Sequence, residues 1–105
     1  MSSTFKLSAR VSTDSPPRIA PVLEKLFPKR AVTERGGEFV IETSIETSNE
    51  TSNEGENAKD LNRELLSALR KVERKTRLRA EWTSTEGVTY RFFDYVLKKI
   101  VREER

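Results

Sequence analysis

The chain has 105 residues, no cysteine and no histidine, with 35% charged and 34% hydrophobic residues. That length suits one domain, and the missing side chains exclude disulfides, thiol catalysis and zinc sites of the usual kind. No apolar run approaches the roughly 20 residues that span a bilayer, and MSSTFKLSARV lacks an apolar leader segment, so an intracellular protein, cytoplasmic or nuclear, is expected.

Residues 5–11, FKLSARV, set Phe5, Leu7, Ala9 and Val11 on one side and Lys6, Ser8 and Arg10 on the other. This period of two predicts a half-buried strand. Asp14-Ser15-Pro16-Pro17 turns the chain into a helix whose apolar face is Ile19, Val22, Leu23, Leu26 and Phe27. A start near Arg18 keeps Pro21 in the first turn, where its missing N–H is harmless, and Pro28 ends the helix. Residues 30–45 then read as a hairpin around Arg35-Gly36-Gly37. A Gly pair permits the positive φ angles of a tight turn. Val32 is the inward candidate on its short first strand, and Phe39, Ile41, Thr43 and Ile45 share a face of the second.

From residue 42 the chain repeats in tetrads, ETSI, ETSN, ETSN, EGEN. After Ile45 these hold nothing to bury, which predicts a mobile acidic low-complexity loop at about 47–56. The next stretch has the clearest periodicity, Asn57 to Arg79, NAKDLNRELLSALRKVERKTRLR. Ala58, Leu61, Leu65, Ala68, Leu69 and Val72 recur at helical steps. Asn57 is placed to cap the helix and Asp60 to meet its positive end, and the helix is expected to end around Lys75-Thr76. Arg63, Arg70, Arg74 and Arg77 step by seven, four and three, an arginine stripe opposite the apolar face, with Glu73 set to pair with Arg77. Leu66 lies beside the apolar face as an exposed contact for a partner.

Leu78, Ala80 and Trp82 alternate with Arg79, Glu81 and Thr83, a strand with Trp82 in the core. Thr85-Glu86-Gly87 turns into VTYRFFDYV, residues 88–96, read as one strand with Val88, Tyr90 and Phe92 on one face and Phe93 and Tyr95 on the other. Leu97, Ile100 and Val101 suggest a short terminal helix or a fraying tail. The order β-α-β-β-α-β-β predicts a single α+β domain over residues 1–105, a two-layer sandwich on a ferredoxin-like plan with an extra C-terminal strand. Its open sheet face would carry Lys6, Arg10, Arg79, Arg91, Phe93 and Tyr95.

Charge is unevenly spread around the net +3. Residues 38–57 carry six glutamates and no base, and residues 58–79 carry eight Lys or Arg against three acids. No nucleophile–base pair and no Gly-rich phosphate loop is evident, so the expectation is a non-enzymatic binding module without cofactor or metal. The arginine stripe suits backbone phosphates, whose contacts are salt-sensitive and blind to sequence. Arg79, Arg91, Phe93 and Tyr95 form a second candidate surface, with rings for bases and guanidiniums for phosphates. RNA or another polyanion is therefore the first partner. The alternative is a homodimerisation or protein–protein subunit that buries Phe93, Tyr95, Leu97 and Leu66. The acidic segment could also fold across the basic helix and compete for its arginines.

Two stretches carry resemblances. RLRAEWTSTEGVTYRFFDYVLKK resembles a block in small fungal proteins, a likeness that brings no activity with it. Residues 5–73, β-α-β-β-α ending in NAKDLNRELLSALRKV, are similar in outline to small dimerising subunits of the KEOPS tRNA-modification complex. That resemblance implies a non-catalytic module. It stops short of the C-terminal hairpin and assigns no site residues.

Overall fold

The structure, a computed structural model, describes residues 3–47 and 54–102. In chain order these form β1 (Ser3–Ser12), α1 (Pro16–Leu26), a single 3-10 turn (Lys29–Ala31), β2 (Val32–Arg35), β3 (Glu38–Thr47), α2 (Glu54–Val72), β4 (Arg77–Ser84), β5 (Val88–Phe93) and β6 (Val96–Arg102). The strands make one sheet in the order β2-β3-β1-β4-β5-β6, and every neighbouring pair is antiparallel. No helix among the described residues is long and apolar enough to cross a membrane.

Alternation along the strands decides which sheet face is buried. Phe5, Leu7, Ala9 and Val11 of β1 are buried, as are Leu78, Ala80 and Trp82 of β4 and Tyr90 and Phe92 of β5. They join Ile19 and Leu23 of α1 and Leu65, Leu66 and Leu69 of α2 in one core cluster. Phe5 and Trp82 meet edge to face, with centroids 6.5 Å apart, a geometry favoured by the ring quadrupoles. The opposite sheet face carries the polar alternates, and no helix packs on it among the described residues.

The Gly36-Gly37 turn is as the sequence requires. Arg35 pairs with Glu38 across a two-residue loop, and both glycines have positive φ, 56° and 85°, the mark of the turn that matches strand twist. The first helix differs from expectation. It begins at Pro16, so Pro21 lies inside it. The bond that would run from position 21 to the Pro17 carbonyl is missing.

The second helix also differs. It starts at Glu54, ahead of Asn57, and stops at Val72. Asn57 is therefore no cap; it lies within the helix and is buried, at 2% exposure. The expected loop loses residues 54–56 to this helix and residue 47 to β3, while its middle, residues 48–53, lies outside the described residues. Leu66 is fully buried, which overturns its reading as an exposed partner contact. The buried face is centred nearer Asn62 and Leu66 than the apolar positions alone suggest, because Asn62 belongs to it despite its polarity.

The C-terminal expectation is corrected twice. The run read as one strand breaks at Asp94-Tyr95, and the tail read as a short helix or a fraying end is β6, which pairs Phe93 with Val96 and Phe92 with Leu97. The register then slips between Arg91 and Phe92, leaving Lys98 as the extra residue of a β-bulge. Asp94, with φ 55°, is the one non-glycine residue at positive φ among those described, a conformation Asp tolerates better than most residues.

Candidate functional site

Asp94 ties the new hairpin to the body of the protein. Its N–H donates to the Leu78 carbonyl at 2.7 Å. Its carboxylate accepts from the Leu78 N–H at 3.0 Å, standing where a strand carbonyl would. Its own carbonyl instead accepts from Asn62 Nδ2 at 2.7 Å. Asn62 is buried and accepts from Trp82 Nε1 at 3.2 Å through its Oδ1. A buried indole N–H and a loop carbonyl are thus satisfied by one amide.

Arg70 belongs to the same assembly. Its Nε donates to the Thr76 carbonyl at 3.0 Å, its Nη2 lies 3.4 Å from the Asp94 carboxylate, and its guanidinium stacks 5.3 Å from the Tyr95 ring centroid. The Tyr95 hydroxyl sits 3.3 Å from Ser67 Oγ. Tyr95 therefore folds toward α2, and Phe93 faces the other side of the sheet. The expectation that the two rings share a surface is corrected: the turn at residues 94–95 separates them.

The predicted stripe of four helix arginines does not form, because the helix ends at Val72. Arg74 lies in the turn after it and Arg77 on β4. Glu73 approaches Arg18 at 4.0 Å in place of Arg77. Arg63 pairs with Asp60 at 2.7 Å, seven residues and about 10 Å of helix from Arg70. This pair is exposed and contributes under about 1 kcal/mol, so isolation sets Arg63 apart from the others more than its partner does.

The loop after β1 and the α2–β4 turn instead enclose a cleft of about 590 Å³, lined by Ser12, Thr13, Asp14, Arg70, Arg74, Lys75, Arg77 and Asp94. Four cations face two carboxylates there. Part of this charge offsets the negative end of the α2 dipole. Arg77 extends the positive surface out of the cleft onto the open sheet face, where Arg79 follows two residues along the same strand.

On that face Arg10 of β1 stands directly opposite Arg79 of β4. Both are exposed, and neither makes an ion pair among the described residues. The Arg79 guanidinium lies 5.1 Å from the Phe93 ring centroid. Ser8, Arg10, Arg79, Glu81, Arg91, Phe93 and Lys98 border a shallow depression of about 490 Å³. Arg91 is held by Glu81 at 2.8 Å. The far side of the face is acidic: Glu38, Glu42 and Glu46 recur along β3, away from α2, so these three glutamates are not placed to fold across the basic helix.

Of the eight expected site residues, the structure gathers Arg70, Arg74 and Arg77 at the cleft, places Arg79, Arg91 and Phe93 on the open face, and leaves Arg63 on α2 and Tyr95 in the β5–β6 turn, folded toward that helix. Lys75, Ser12 and Thr13 were missed because they meet only where two loops converge, a juxtaposition without periodicity. Asp94 carried a local signal, an aspartate interrupting a run of β-formers. No group of three or more potential metal ligands occurs among the described residues. Compared with known proteins, the chain matches no family model, no curated protein and no solved structure.

Proposed function

We propose that this protein is a non-enzymatic module that binds single-stranded RNA without sequence preference. The surface is a cationic band that runs from the cleft (Arg74, Lys75, Arg77) onto the open sheet face (Arg79, Arg10), with Phe93 as a stacking ring. One observation carries the reading. Arg10 and Arg79 stand directly opposite each other on adjacent central strands without a carboxylate partner among the described residues, an arrangement that costs stability. A bridging phosphate would relieve it. Arg70 has three partners within the fold and acts as a positioning residue for the hairpin. The reading takes the fold as two-layered and ferredoxin-like, since β2-β3-β1-β4 runs in the order of that plan, with β5 and β6 as the extension.

The test is fluorescence anisotropy with a mixed-sequence single-stranded RNA across a salt series. Five phosphate contacts imply a log–log salt slope of about −3 to −4. The double variant R77E/R79E is expected to bind at least about tenfold more weakly, and R63A within about twofold of the parent. Unchanged binding by R77E/R79E, or none by the parent protein at about 50 mM salt, refutes the reading. The dimerisation alternative has lost Leu66, one of its four anchors, to the core.

A further inference from the structure

We propose that the outer edge of β6 docks an extended peptide segment in which apolar and acidic side chains alternate. This inference is independent of RNA binding. It begins with exposed apolar area. Five large hydrophobic residues are exposed among those described, and four of them, Tyr95, Val96, Leu97 and Ile100, lie within six consecutive positions. β6 is the last strand of the sheet, so the N–H and C=O groups along one side of seven residues have no strand partner among the described residues. On the helix side, Leu97 and Ile100 form one wall of a groove of about 500 Å³, and Gly55, Glu56 and Lys59 of α2 form the other. The groove exists because α2 packs over β4 and β5 and stops short of β6.

The two faces of β6 differ, and that difference sets the chemistry of the occupant. Leu97 and Ile100 share the helix side with their partners Phe92 and Tyr90. On the other side lie Lys99, opposite Arg91, and bulged Lys98, which borders the open-face depression. A strand added here sends alternate side chains to the two faces. One set meets the apolar groove and the other meets Lys98, Lys99 and Arg91. A second copy of β6 fits poorly, since self-pairing sets lysine against lysine. The molecule already contains a strand of the complementary kind. β3 presents Phe39, Ile41 and Ile45 to the core and Glu38, Glu42 and Glu46 to the open face, and it pairs with β1, which presents apolar residues inward and Lys6 and Arg10 outward.

The probe is a capped, fluorescein-labelled decapeptide with the β3 sequence EFVIETSIET, titrated with the full chain and followed by anisotropy and amide hydrogen exchange. Saturable binding is expected, with exchange slowed across residues 96–102. Replacing the three glutamates of the peptide by lysine is expected to weaken binding about tenfold, with no change to the protein itself. The protein variant L97K/I100K, altered only at exposed positions, is expected to weaken it comparably. Equal affinity for the lysine peptide, unchanged binding by L97K/I100K, or protection confined to other strands overturns the proposal. So does a parent protein that sediments as a dimer and becomes monomeric in L97K/I100K, which assigns the edge to a second copy. Slowed exchange at 96–102 with mixed-sequence RNA and none with the peptide assigns it to nucleic acid.

Discussion

Asn62 shows how much one polar side chain can decide. Its amide occupies the apolar face of α2 because Trp82 Nε1 and the Asp94 carbonyl are both within reach. Asn62→Leu is about the right size but leaves a buried donor and an acceptor without partners. The expected loss is about 2–4 kcal/mol in urea unfolding. Leu66→Ala is expected to cost about 2–5 kcal/mol in the same assay, as for any leucine emptied from a packed core. A surface leucine would lose almost nothing, so the measurement separates the two placements directly. Asp94→Asn keeps an oxygen for the Leu78 N–H and loses only the charge opposite Arg70. Its cost should be clearly smaller than that of Asp94→Ala, which loses the acceptor as well.

At the scale of elements, the β5–β6 hairpin departs most from the reading of the sequence. VTYRFFDYV is rich in β-formers throughout, and propensity does not mark where a strand turns back. LKKIVR has apolar positions compatible with either period over so short a span, so helix and strand were not separable there. The structure chooses strand because β5 offers an edge and Asp94 accepts the positive φ of the turn. The sheet order also ranks the strands by stability. β1 is flanked on both sides by long partners, whereas β6 has one neighbour and a bulge. Amide exchange of β1 is therefore expected to require global unfolding, and that of β6 to proceed through local opening at much lower free energy.

Across the whole molecule, charge is arranged by sheet position more than by helix face. The basic band crosses β4 and β1, and the glutamates line β3 on the same open face. The Arg10–Arg79 juxtaposition predicts a trade between stability and binding. Arg10→Thr is expected to raise stability by a few tenths of a kcal/mol, up to about 1, and to lower RNA affinity measured by anisotropy. A variant that is less stable and binds equally well would contradict both halves. In the tested range, added salt should weaken RNA binding strongly while leaving the unfolding midpoint nearly unchanged, since the exposed ion pairs contribute little to stability.

The residues by themselves determined that the chain is α+β, that its first strand, its Gly-Gly hairpin and its long helix exist, and that Trp82 is core. Each of these rests on local information: a period of two or 3.6, or a turn that demands positive φ. The alternation of FKLSARV, RLRAEWT and VTYRFFDYV also assigned Arg10, Arg79 and Arg91 to the open face. Only the tertiary structure decided where α2 ends, which side Tyr95 and Leu66 take, and that Arg74, Lys75 and Arg77 meet Ser12 and Thr13 around one cleft. Those outcomes depend on contacts between segments far apart in sequence. A helix stops where the next strand finds its partner, and a polar residue goes inside where distant groups complete its hydrogen bonds.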